Sequence, residues 1–193
     1  MHVSGDERYT RLLNSLKVAG PLFRDLPIEF MERLTVSVQT FRNFKPLVLN
    51  PGSLYVVMSG HFSEIVTSPE FRRTMALDIH HQGGVIIPKY IIGTIRSYYY
   101  STLAEIHPGW QNFDALAEKV EREALVQSLQ VKNKLSLCML YGLEERIKHL
   151  GIPQLEQDHK FSITQMAMLA GSSREMLSRI LKKVRNVNSS EQK

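Results

Sequence analysis

Residues 162–183 read Ser162-Ile-Thr-Gln165-Met-Ala-Met-Leu-Ala-Gly171-Ser-Ser-Arg174-Glu-Met-Leu-Ser-Arg179-Ile-Leu-Lys-Lys183. Ser162 with Gln165 three positions later forms a capping box, whose hydroxyl and amide satisfy backbone groups that a first helical turn leaves without partners. A helix therefore starts at Ile163. Met166, Ala167, Leu169 and Ala170 put apolar groups on one side of it, and the small Ala167 leaves room for a second helix to cross closely. Gly171 permits the left-handed backbone of a turn. Ser172 or Ser173 can cap the next helix, in which Leu177, Ile180, Leu181 and Val184 recur at helical spacing as an inner face. Arg174, Glu175, Ser178 and Arg179 project from the opposite side.

That layout predicts a helix-turn-helix unit, in which the second helix enters the major groove of DNA with its first residues against base edges. The charge distribution agrees. Residues 1–129 hold 13 Lys and Arg against 13 Asp and Glu, whereas residues 130–193 hold 11 against 6, so the whole formal charge of +5 is C-terminal. Arg174, Arg179, Lys182, Lys183 and Arg185 face a single Glu175 over twelve residues, a density suited to a polyanion. A solvated helix face, or an i,i+4 pair between Glu175 and Arg179, would leave the same local trace. The conjunction of cap, small residue, turn glycine and basic second helix favours DNA.

Working outward, the 193 residues allow one or two domains, and 43% hydrophobic with 22% charged residues is the composition of a globular chain. The one cysteine, Cys138, cannot form an intramolecular disulfide, a four-cysteine zinc site or a cysteine-ligated cluster, and it implies the reducing cytoplasm. No secretory signal opens the sequence, and no apolar run reaches the ~20 residues of a membrane span. Residues 7–35 read as helical, with a break at Gly20-Pro21 and a new start at Pro27. From Thr35 the period shortens: Leu47-Val48-Leu49, Leu54 to Met58, His61 to Thr67, Thr74 to His80, Val85 to Ile87 and Tyr90 to Arg96 alternate with turn signals, among them Asn50-Pro51-Gly52, Ser59-Gly60, Ser68-Pro69 and Gln82-Gly83-Gly84. An antiparallel jelly roll is expected. After Pro108-Gly109, Phe113, Leu116, Ala117, Val120, Ala124 and Val131 keep to one face of a long helix, and a further helix is expected from Leu135 to Leu150, stopped by Gly151 and Pro153.

These residues resemble the Crp/Fnr superfamily of bacterial transcription regulators, whose DNA-binding helices carry Gly-x-Ser-Arg-Glu followed by x-x-x-Arg, here Gly171 to Arg179. Pro21-Leu-Phe-Arg-Asp-Leu-Pro is similar to the opening helix of that family's sensor domain, and Leu54-Tyr-Val-Val-Met-Ser-Gly to its strand and turn. The resemblance implies an α+β chain: a cyclic-nucleotide-binding-like jelly roll over 1–110, a dimerisation helix over 111–134, and a helix-turn-helix domain over 135–193. It also implies a non-enzymatic, cytoplasmic transcription regulator that binds double-stranded DNA as a homodimer at an inverted repeat, with RNA polymerase as a further candidate partner and no membrane. By this resemblance Arg174, Glu175 and Arg179 read base edges, Ser162 and Ser173 contact phosphate or cap helices, and Ser178, Lys182 and Lys183 complete the DNA-binding set. Arginine bonds two acceptors of guanine and glutamate accepts from the amino group of cytosine, so adjacent side chains can distinguish the orientation of a G·C pair.

The sequence departs from the family in its ligand motif. Cyclic-nucleotide binders carry Gly-Glu and then Arg followed by Ser or Thr, but no Gly-Glu occurs here and Arg96-Ser97 is the nearest remnant. No cyclic nucleotide, cofactor or metal is expected, although His61, His80, His81 and Met58 are haem ligands on paper. The family's β-hairpin wing, some tens of residues after the second helix, has no counterpart in Asn186 to Lys193. Wing contacts to phosphate are not expected. Two other readings stay open: a ligand-sensing or protein-binding jelly roll with lost or weak DNA binding, and a cupin-type enzyme using His61, Glu64, His80 and His81, whose spacing matches no metal set.

Overall fold

The computed structural model describes residues 5–42, 44–68, 73–98, 100–152 and 161–190, with side chains described for these except 5, 6, 8, 21, 68, 73 and 184–190. The expectations on Pro69 and Pro153 and on the side chains of Val184 and Arg185 fall outside that part. Helix α1 (Gly5–Ala19), a 3-10 turn at Pro21–Phe23 and the short α2 (Ile28–Met31) precede seven strands: β1 (Val36–Phe41), β2 (Leu54–Ser59), β3 (His61–Ser68), β4 (Arg73–His81), β5 (Val85–Ile86), β6 (Thr94–Ser97) and β7 (Ser101–Ile106). Helices α3 (Asp114–Leu140), α4 (Leu143–His149), α5 (Ile163–Leu169) and α6 (Arg174–Ser190) follow. The chain forms two compact units, residues 1–64 with 79–129, and residues 65–78 with 130–193.

In the first unit the strands form one sheet of order β1-β7-β2-β5 and contribute to a second of order β4-β3-β6. Strand β7 pairs antiparallel with both neighbours, placing Ile106 opposite Val36 on β1 and opposite Leu54 on β2. Side chains alternate across such a strand, so the first sheet serves two cores. Leu54, Val56, Ala104 and Ile106 join Leu13, Leu16, Phe23 and Met31, together with Leu116, Val120 and Ala124 of α3. Tyr55, Val57 and Leu103 join Phe62, Ile86 and Ile95. Gly60 turns β2 into β3 with φ +71°, and a Cβ there would lie 2.9 Å from the Ser101 backbone, so glycine is required on both counts.

Three elements differ from the sequence reading. Strand β7 is unforeseen, since Ser101-Thr-Leu-Ala-Glu-Ile is buried at four of six positions and lacks clean alternation. Residues 47–49 form no strand; the segment is held by a bridge between Pro46 and Arg96 and by the Leu47 amide donating to the Ile95 carbonyl at 2.8 Å. The long helix does not stop near residue 134 but continues to Leu140, and the chain breaks instead at Tyr141-Gly142, where Gly142 is extended ahead of α4. The apolar stripe read on that helix is also spent differently: Leu116, Val120 and Ala124 are buried within their own unit, while Leu125, Val126 and Leu129 are 67%, 43% and 59% exposed.

In the second unit Ile147 and Ile152 are buried, as are Met166, Leu169 and Ala170 from α5 and its end, and Leu177, Ile180 and Leu181 from α6. Met75 from β4 also belongs here, its sulfur 3.6 Å from Cys138 Sγ.

Candidate nucleic-acid interface

The start of α5 is set by Ser162. Its Oγ accepts from the Gln165 amide at 3.3 Å, and its own amide donates to Gln165 Oε1 at 2.6 Å, the reciprocal pair of a capping box. The helix ends at Ala170, and Gly171 follows with φ +61°. Space is short there as well: a Cβ on Gly171 would lie 3.2 Å from Met75 Sδ and 3.5 Å from the Arg146 guanidinium. Helix α6 is capped by Ser173, whose Oγ accepts from the Met176 amide at 3.2 Å. Leu177, Ile180 and Leu181 then turn inward, which sends the remaining side of the helix to solvent.

On that side Arg174, Glu175, Arg179, Lys182 and Lys183 are exposed and Ser178 is half-buried. These six residues therefore share one basic helix side. Ser162 and Ser173 each use the hydroxyl oxygen as a helix-cap acceptor, the capping role expected of them. Lys183 is also committed in part, with Nζ 2.8 Å from Glu144 Oε1 on α4. That lysine and its own charge hold the Glu144 carboxyl below its usual range. Glu175 is likewise held low, first by a hydrogen bond from its own backbone N–H, then by the Ser173 hydroxyl, with Arg174 and Arg179 adding their charges. An ionised Glu175 is an acceptor only, as pairing with an amino group requires.

Sequence reasoning missed three neighbours of this surface. Met176, 46% exposed, sits among the charged residues of α6. Glu144 carries no local signal of its link to Lys183, which lies 39 positions away. Arg146 reaches the Gly171 turn through the fold alone.

The groups considered as ligands are dispersed into structural tasks. Glu64 is buried and accepts from the Ile92 and Gly93 amides at 2.7 and 2.9 Å, so its carboxylate anchors the loop before β6. His61 stacks 4.4 Å from Tyr98 and 6.2 Å from His81, and burial, then the His81 charge, holds its imidazole below the ordinary value. Arg96 lies 5.1 Å over the Phe44 ring and Ser97 is buried. Among the described residues no three His, Cys, Asp or Glu side chains converge as a metal site would require.

No protein-family model and no curated protein matches the chain. Solved structures do match. The c-di-GMP responsive global regulator CLP of Xanthomonas campestris superposes with a TM-score of 0.64 at 20% identity, over 83% of this chain and 91% of its own. A transcriptional regulator of the Crp/Fnr family from Eubacterium rectale gives 0.66 at 16%, over 87% and 88%. A CRP family transcriptional regulator from Thermus thermophilus gives 0.61 at 18%, over 78% and 85%. The chain has the Crp/Fnr-like fold. All three of these Crp/Fnr-like structures are regulators by name, and none is described as an enzyme. Among the described residues no helix is long and apolar enough to cross a membrane.

Proposed function

We propose that this Crp/Fnr-like chain is a sequence-specific DNA-binding transcription regulator that acts as a homodimer on an inverted-repeat site. The observation that carries the reading is the division of α6: Leu177, Ile180 and Leu181 are buried while Arg174, Glu175, Arg179 and Lys182 are exposed, behind a Ser173 cap that fixes where the helix begins. A helix of this kind presents two arginines and a glutamate to base edges and leaves lysine for phosphate. The exposed Leu125, Val126 and Leu129 on α3 supply an apolar strip for the second copy. Leu116, Val120 and Ala124 cannot serve that purpose, because the chain's own core uses them.

The site is tested by selecting bound sequences from random DNA and comparing Arg174→Ala, Glu175→Ala and Arg179→Ala on the selected and a scrambled duplex. Loss of a bidentate arginine should cost about 1–3 kcal/mol on the selected site and relax preference at one base pair. Equal losses on both duplexes would reduce the helix to a source of charge, and no loss on either would remove it from the interface.

A further inference from the structure

Between β1, β7 and the segment 46–49 lies a pocket of about 140 Å³, entirely within the first unit and remote in sequence from the DNA-binding residues. Phe41, Leu47, Leu49 and Leu103 supply its apolar part, and Gln39, Tyr55 and Glu105 its polar groups. Glu105 dominates its chemistry. One of its carboxylate oxygens accepts from the Ser53 hydroxyl at 2.7 Å and from the Tyr55 hydroxyl at 3.0 Å. Tyr55 is itself held, its oxygen accepting from the Asn50 amide at 2.8 Å. The side chain is thus fixed by two donors on one oxygen, and no described residue donates to the other.

Those two donors are neutral. No Lys, Arg or His lines the pocket, and no described residue forms an ion pair with Glu105. A half-buried carboxylate that lines the pocket without a countercharge selects the ligand's sign. The size selects the rest: a cavity of roughly 150 Å³ accepts a benzene-sized molecule.

We propose that this pocket binds a small organic cation, a primary ammonium carrying one ring or a branched alkyl group, with Glu105 as its counter-ion. The proposal stands apart from DNA binding, and its test needs no DNA. The full chain is titrated with benzylammonium, benzyl alcohol and benzoate at constant ionic strength, and methyl NMR shifts of Leu47, Leu49 and Leu103 are followed. Benzylammonium is expected to shift those methyls and to bind at least tenfold more tightly than benzyl alcohol, with benzoate not binding. In Glu105→Gln the preference for the ammonium over the alcohol should fall below threefold. Where Glu105→Gln does not fold, the three-compound series on the wild type decides by itself. Equal affinity for ammonium and alcohol, no methyl shift at millimolar benzylammonium, or shifts confined to other residues would overturn the assignment.

Discussion

His61 stands at the junction of β2 and β3 with its ring against Tyr98, and both burial and His81 oppose its protonation. Because its folded-state pKa lies below the ordinary 6.5, the unfolded chain takes up a proton first as pH falls. The contribution of this residue to stability is complete above about pH 6.5 and declines as pH drops from there through the folded-state value. His61→Phe keeps a ring against Tyr98 and removes the titration. Urea midpoints measured from pH 7.5 to 5.5 should therefore fall less steeply in the variant than in the wild type. Identical slopes would mean that other groups carry the acid sensitivity.

At the scale of elements, α3 has two apolar faces and only one is consumed by its own unit. Val120 is 2% exposed in the first core, so Val120→Ala should destabilise the fold by about 1–3 kcal/mol in denaturant titration and leave the oligomeric state as it was. Leu125→Glu with Leu129→Glu should do the reverse, halving the mass seen by light scattering with a midpoint change below about 1 kcal/mol. A double variant that remained a dimer would move the interface elsewhere. The two faces also mark how far sequence reading reaches. The helices α5 and α6 were legible because their signals are local: Ser162 with Gln165, Gly171, and Leu177 with Ile180 and Leu181. Periodicity announced α3 but not which stripe its own sheets would cover, since Leu116 and Leu125 are equally apolar. Strand β7 was hidden because a strand paired on both sides buries most of its residues and loses the alternation that marks it. The pocket around Glu105 and the pair of Lys183 with Glu144 depend on contacts 39 or more positions apart, for which a single sequence holds no register.

Over the whole molecule, residues 1–129 are formally neutral and residues 130–193 carry +5, so the proposed DNA binding would draw its electrostatic attraction from the second part of the chain. Not all of that charge is equally available. Lys182 is exposed and forms no ion pair with a described residue, whereas Lys183 is bonded to Glu144 at 2.8 Å. A phosphate that engages Lys183 must compete with that carboxylate, and the field of Glu144 persists beside the DNA. Each free lysine that neutralises a phosphate releases condensed counterions, which sets the slope of log affinity against log salt. Lys182→Ala should reduce that slope by about 1 per half-site, and Lys183→Ala by less. Glu144→Gln should act in the opposite sense, tightening binding to any duplex, most at low salt, because it frees Lys183 and removes a repulsive charge together. Binding isotherms at 50 and 200 mM salt, on the selected inverted repeat with half-sites about 10 base pairs apart and on scrambled DNA, measure all three variants. Equal slopes for the two lysine variants would show that the Glu144–Lys183 pair opens before DNA arrives and does not restrain the interface, and weaker binding by Glu144→Gln would show that the pair holds Lys183 in place for the DNA instead of competing with it.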